Sequence, residues 1–154
     1  MTITISGAAG LHDNANSSAG ATEWQTMTLE RIRAFADATD DHQWIHVDEE
    51  RIAKESPFGA PIAHGYLTLS LVAGHFFRLI ELQDMKMVIN YGTNKVRFPT
   101  PLKAGDKFRL AIDLGDVTEK GGGWLEAVFN ARIEVEGQDK PACAAECLYR
   151  FLPV

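Results

Sequence analysis

Tyr66-Leu67-Thr68-Leu69-Ser70-Leu71-Val72-Ala73-Gly74-His75-Phe76-Phe77-Arg78-Leu79-Ile80-Glu81-Leu82 is the stretch whose reading decides the fold. Apolar residues stand at 66, 67, 69, 71, 72, 73, 76, 77, 79, 80 and 82, and on a helix they cover almost the whole circumference. A helix that is apolar on every side must be wrapped by other elements. His75, Arg78 and Glu81 interrupt the run, and a membrane span needs ~20 apolar residues, so a buried helix over 66–82 is expected rather than a crossing one. Beyond it the pattern changes to strands at 86–98, 107–117, 123–136 and 141–152. The third alternates cleanly, with Leu125, Ala127, Phe129, Ala131, Ile133 and Val135 on one face. Gly121-Gly122-Gly123 and Glu136-Gly137-Gln138-Asp139 supply turns. One buried helix followed by several antiparallel strands predicts an α+β domain, its sheet curled around the helix. Such a sheet leaves an edge, and edges invite pairing, so a homodimer is expected.

Upstream, Thr28 can cap a helix that carries Leu29, Ile32, Phe35 and Ala36 at helical spacing. Asp48 can cap a second, short helix that stops before Pro57. Residues 6–22 are small and polar, so segment 1–22 reads as a mobile arm ahead of a domain over 23–154. The length of 154 residues suits one domain, and a net charge of −6 argues against nucleic-acid binding, which needs a basic surface. Met1–Gly10 has neither the charge nor the apolar run of a secretory signal, so a cytoplasmic protein without a membrane anchor is expected. Cys143 and Cys147 lie four residues apart. On a strand that is roughly 13 Å, too far for a disulfide, so buried free thiols are expected.

The chemistry concentrates in Phe35-Ala36-Asp37-Ala38-Thr39-Asp40-Asp41-His42-Gln43-Trp44-Ile45-His46-Val47-Asp48, followed closely by Pro61-Ile62-Ala63-His64-Gly65-Tyr66. An Asp and a His in a turn between helices can converge on one water, the first accepting a proton and the second holding or returning one near neutral pH. A Gly N–H opening a helix can face a developing oxyanion. Spacing alone leaves the bland alternative open, in which the aspartates cap helices and Trp44 and Ile45 belong to the core.

These stretches resemble the MaoC-like dehydratases, the (R)-specific enoyl-CoA hydratases of the hotdog fold. Thr39 takes the motif's hydroxyl position, Asp41 the catalytic aspartate, Ile45 the aliphatic position and His46 the catalytic histidine. Pro61–Gly65 matches the family segment that enters the central helix. The segment Asn90–Pro101 resembles the strand after it, and Gly137–Cys143 a late hairpin. Two positions depart from the pattern: the Gly before the aspartate is Asp40, and Asn-Pro is Gln43-Trp44, as in the branch resembling nodulation protein N.

The resemblance implies hydration of trans-2-enoyl thioesters, with Asp41 and His46 activating water and Gly65 holding the thioester oxygen. It needs no cofactor and no metal, and its partner is an acyl-CoA or acyl-carrier-protein thioester. Substrate-binding positions are then expected at His64, Tyr91, Gly92, Lys95 and Arg97, with Ala73 and Phe76 lining an acyl tunnel. The phosphate contacts of the carrier are sought in segment 95–109, where five cations face Asp106, although a solvated strand face would look the same. His75 reads as a core or interface histidine and His42 carries no assignment. Two other readings stand beside hydration: a hotdog acyl-CoA thioesterase, for which Glu81 would be the only acid in the 66–82 stretch, and a non-catalytic acyl-thioester-binding module.

Overall fold

The computed structural model describes residues 2–154. Among these residues are five α-helices, α1 (Gly7–Asp13), α2 (Leu29–Thr39), α3 (Trp44–Val47), α4 (Glu49–Glu55) and α5 (Gly65–Phe76), and a short 3-10 turn at Gly121–Gly123. The eight strands are β1 (Ile3–Ser6), β2 (Ser18–Ala21), β3 (Gln25–Thr26), β4 (Ile80–Gln83), β5 (Met85–Arg97), β6 (Lys107–Glu119), β7 (Leu125–Val135) and β8 (Cys143–Pro153). The main sheet runs β2-β6-β7-β8-β5, with β3 also on β6, and all its pairings are antiparallel.

Strand β7 shows why this sheet curls around a helix. Its alternate residues from Leu125 to Val135 are buried while those between them are less so, as the period of two requires. Cys143, Ala145, Cys147, Tyr149 and Phe151 of β8 and Phe108, Leu110, Ile112 and Leu114 of β6 join the same face. Onto it α5 lays Leu67, Val72 and Phe76, and Phe76 packs between Tyr149 (4.8 Å, stacked) and Phe129 (4.9 Å, edge-on). Ring pairs at these separations add to simple area burial. The fold is the expected α+β arrangement, an antiparallel sheet around one apolar helix.

Local signals fixed several boundaries. The Thr28 hydroxyl accepts from Arg31 N at 3.2 Å and opens α2, and Asp48 Oδ1 accepts from Arg51 N at 3.0 Å and opens α4. Both cysteines are buried and free on β8. No described helix is long and apolar enough to cross a membrane.

Two expectations are corrected. The helix does not run to residue 82: α5 ends at Phe76, and Ile80-Glu81-Leu82-Gln83 is β4, paired in parallel with β1. The main-chain donors and acceptors of 80–83 go to the chain's own first strand, a partner that no local pattern announces. Nor are residues 3–21 a mobile arm. They form β1, α1 and β2, and they seat Ile5 and Leu11 in the core at 0% exposure. Two large apolar side chains anchor a segment whose average composition is small and polar.

Candidate active site

Three turns of chain, brought together at the N-terminal end of α5, build the site. Helix α2 stops at Asp40, which takes the left-handed conformation (φ 57°, ψ 19°), and Asp41 N then bonds Ala36 O at 3.1 Å. This is an αL helix ending, and it requires the positive φ that glycine adopts without strain. Asp40 stands where the resembling family has Gly, and aspartate tolerates that conformation better than most residues. The reversal turns Asp41 toward the one-turn helix α3, which carries His46.

His46 is 6% exposed, and its Nδ1–H donates to Ile62 O at 2.6 Å. Ile62 N returns a bond to Ile45 O at 3.2 Å, so α3 and the strand-like segment before α5 are clamped from both sides. The bond through Nδ1 leaves His46 Nε2 as its acceptor. Burial pushes the His46 pKa below the ordinary 6.5, against the raising effect of the Ile62 carbonyl, and the nearby His64 lowers it further. A neutral imidazole with a bare Nε2 is a competent base at neutral pH.

His64 is the N-cap residue of α5 and is 3% exposed. Its Nε2–H donates to the main-chain oxygen of Asp41 at 2.9 Å, and its ring stacks on His46 with centroids 3.7 Å apart and planes 24° off parallel. One donor atom each from Asp41, His46 and His64 lie within 4.8 Å of one another. Two imidazoles and a carboxylate are metal-ligand chemistry; here His46 Nδ1 and His64 Nε2 are engaged by the Ile62 and Asp41 carbonyls, which leaves His46 Nε2, His64 Nδ1 and the Asp41 carboxylate as the remaining donors.

Beside this cluster lies a cavity of about 330 Å³, bounded by Ile45, His46, Gly65, Thr68, Phe98 and Leu102 among others. Gly65 is the first residue of α5, where an N–H has no acceptor within its own helix and sits at the positive end of the dipole. Its lack of a side chain is also a matter of space. A Cβ on Gly65 would lie 2.8 Å from Cδ2 and 2.9 Å from Cγ of Phe98.

The expected residues divide into two groups. Asp41, His46, Gly65 and His64 come together, and of the two adjacent aspartates Asp41 rather than Asp40 belongs to the cluster. His46 and Gly65 line the cavity, whereas Asp41 and His64 stand outside its lining. Phe76 is fully buried among Phe129 and Tyr149, and neither it nor Ala73 is among the residues bordering the cavity beside His46. Tyr91, Gly92, Lys95 and Arg97 lie along β5 at the sheet edge, away from that lining. Tyr91 is 54% exposed under the Arg150 guanidinium, which lies 3.4 Å from its ring centroid. Of the cations in 95–109, Lys95 pairs with Glu146 at 2.7 Å, Arg109 with Glu134 at 2.7 Å and Lys107 with Glu136 at 3.4 Å. Much of that charge run is a neutralised sheet face. Arg97 donates to its own neighbour's carbonyl, Val96 O, at 2.7 Å and has no carboxylate partner among the described residues. His75 is a core histidine, bonded through Nδ1 to Leu71 O at 2.9 Å, and His42 pairs with Asp37 at 2.8 Å. Phe98 and Thr68 escaped the sequence reading. For Phe98 the available signal was its place ahead of Pro99-Thr100-Pro101, which ends β5 and turns the chain back toward α5.

Comparison with known proteins identifies the family and the fold. The MaoC-like domain family model matches residues 13–134. The chain is 44% identical over 149 residues to 3-hydroxyacyl-thioester dehydratase Z of Mycobacterium tuberculosis, covering 97% of this chain and 98% of that protein. It is 42% identical over 127 residues to nodulation protein N of Rhizobium leguminosarum bv. viciae, covering 82% and 79%. Among solved structures, a monoamine oxidase regulatory protein from Archaeoglobus fulgius superposes with a TM-score of 0.77 at 21% identity, covering 99% and 97% of the two chains. An (R)-hydratase from A. caviae involved in PHA biosynthesis does so with a TM-score of 0.68 at 24% identity, covering 84% and 93%. These structural likenesses carry the hotdog architecture alone, whereas the family model and the sequence relatives span most of the chain. On that ground the chain belongs to the MaoC-like dehydratase family.

Proposed function

We propose that this protein is an (R)-specific hydratase/dehydratase, adding water to trans-2-enoyl thioesters and removing it from the corresponding 3-hydroxyacyl thioesters. The reading is carried by one observation: Asp41 and His46 present donor atoms within 4.8 Å of each other, and His46 shares a cavity with Gly65 at the start of α5. That separation suits a single bridging water. In the hydration direction the water oxygen bonds C3, its proton passes to His46 Nε2, and C2 takes a proton from the Asp41–His46 pair on the same face. The charge that develops on the thioester oxygen meets the Gly65 N–H. A donor so placed contributes roughly 2.7–4 kcal/mol, and a positioned acid or base about 10²–10⁴-fold.

No cofactor and no metal enter this scheme, and a cytosolic setting goes with it. The carrier is coenzyme A or an acyl carrier protein; with Lys95 tied to Glu146, Arg97 is the better phosphate contact of the two. A homodimer forms along β5, whose outer side exposes Met87, Ile89 and Tyr91 at an edge without a further strand among the described residues. The thioesterase alternative loses its residue, because Glu81 is an exposed residue of β4 and α5 itself holds no carboxylate.

The test is direct. Crotonyl-CoA mixed with the protein loses its conjugated-thioester absorbance and yields (R)-3-hydroxybutyryl-CoA, unchanged by EDTA. Asp41→Asn and His46→Gln each lower kcat by about 10²–10⁴-fold, with folding intact for Asp41→Asn because that side chain is 53% exposed. Asp40→Asn keeps most of the activity. Full turnover by Asp41→Asn, or release of free thiol in place of hydration, refutes the proposal.

A further inference from the structure

We infer that His64 is a positioning residue for the Asp41–His46 pair, holding both in register with the Gly65 amide without touching substrate. The inference rests on the hydration reading above. His64 is 3% exposed, so almost none of its surface is open to a substrate, whereas the Asp41 side chain is 53% exposed. His64 nevertheless touches every other member of the site. Its Nε2–H bonds the Asp41 main-chain oxygen at 2.9 Å across 23 residues of sequence, and the Asp41 carboxylate Oδ2 lies 4.0 Å from the same nitrogen. Its ring stacks on His46 at 3.7 Å and meets Phe35 of α2 at 5.1 Å. As the N-cap residue it also stands one peptide from Gly65. A single side chain thus ties the end of α2, the turn α3 and the start of α5.

The other ring nitrogen argues that the polar contact is used. His64 Nδ1 is buried with no hydrogen-bond partner among the described residues. A buried polar atom left unpaired is costly, and buried polar groups are normally satisfied. A residue present only to fill this space would be Leu or Phe, which carry no such atom. Histidine is explained by what Nε2–H does at Asp41.

Two substitutions separate the contacts. His64→Phe keeps a flat ring against His46 and removes the donor, while His64→Gln restores a donor near the Nε2 position without the ring. Both are followed by crotonyl-CoA kinetics, by the pH profile of kcat and by ¹⁵N NMR of the His46 imidazole. His64→Phe is expected to lower kcat by roughly 10–100-fold, the scale of a misplaced reacting group, with KM within about twofold; His64→Gln recovers a large part of that loss. In both variants the acid limb and the His46 titration move together, because the group stacked on His46 at 3.7 Å has been exchanged. An unchanged kcat with an unmoved His46 titration overturns the inference. So does a rise in KM at constant kcat, which marks substrate contact, or a His64→Gln loss as large as that of His64→Phe. If His64→Phe does not fold, His64→Gln and Phe35→Leu carry the same readouts. Should the wild-type protein hydrate no enoyl thioester, the functional reading fails, and the NMR titration still decides whether His64 sets the state of His46.

Discussion

Replacing Gly65 with Ala perturbs one atom at the junction of cavity and helix, and the structure sets the size of the effect. The new Cβ would sit 2.8, 2.9 and 3.0 Å from Cδ2, Cγ and Cε2 of Phe98. Carbon atoms settle at ~3.5–4.0 Å, so the ring must retreat by roughly 0.7 Å. Because Cγ is among the atoms struck, the ring cannot simply swing its far end away. Forced shifts of this kind cost about 1–3 kcal/mol, and the better helix propensity of Ala offsets at most ~1 kcal/mol. The expected net loss is about 1–2 kcal/mol, or a Tm lower by about 2–8 °C for a chain of this size. Urea denaturation of Gly65→Ala, Phe98→Ala and the double variant measures the coupling. With Phe98 truncated the clash is gone, so Gly65→Ala becomes neutral or slightly stabilising there. Since Phe98 borders the cavity, activity in the single variant also falls. An equal stability cost in both backgrounds refutes the steric argument and leaves the glycine unexplained.

Asp40→Gly relieves the left-handed strain at φ 57° and is expected to stabilise by up to ~1 kcal/mol, whereas Asp40→Val costs about 1–2 kcal/mol; thermal melts distinguish them. Burial holds His46 and His75 below 6.5, so as pH falls beneath 6.5 the unfolded chain takes up their protons first and stability is lost toward the folded values. A Tm series from pH 7.5 to about 5 reads that slope, and His75→Gln flattens it; exposed His42, raised by its bond to Asp37, contributes in the opposite sense but is screened. Activity retained somewhat below pH 6.5 is expected from the same lowered His46, and an acid limb above 6.5 contradicts it. Burial pushes the Cys143 and Cys147 thiols up to about 11, so a thiol reagent finds neither in the native protein and both after denaturation.

Features encoded within a few residues were legible in the sequence. The alternation in β7, the capping oxygens of Thr28 and Asp48, and the five-residue step from Asp41 to His46 are all local, and the structure carries each of them. What escaped depends on partners far along the chain. Ile80-Glu81-Leu82-Gln83 alternates like a strand, but that alternation sits inside a run that also fits a helix, and only its pairing with residues 3–6 decides between them. The same pairing, with Ile5 and Leu11 in the core, converts a polar-looking segment into structure. The stack of His64 on His46 depends on how α3 meets α5, and the ring of Phe98 over Gly65 on where the chain turns after β5. Neither angle is written in a spacing.

The parallel ladder between β1 and β4 has a bearing on how the protein is made. Ile3 pairs with Ile80, so about 77 residues must leave the ribosome before the first strand can meet its mate. At ~5–20 residues per second that is a wait of about 4–15 s. Throughout it, Ile3, Ile5 and Leu11 have no home, and α5 emerges before the element that will fasten its far end. The ladder therefore cannot close before α5 has emerged, and a chain stalled short of residue 83 holds the turn of Asp41 and His46 but neither a mate for β1 nor the Phe98 and Leu102 wall of the cavity.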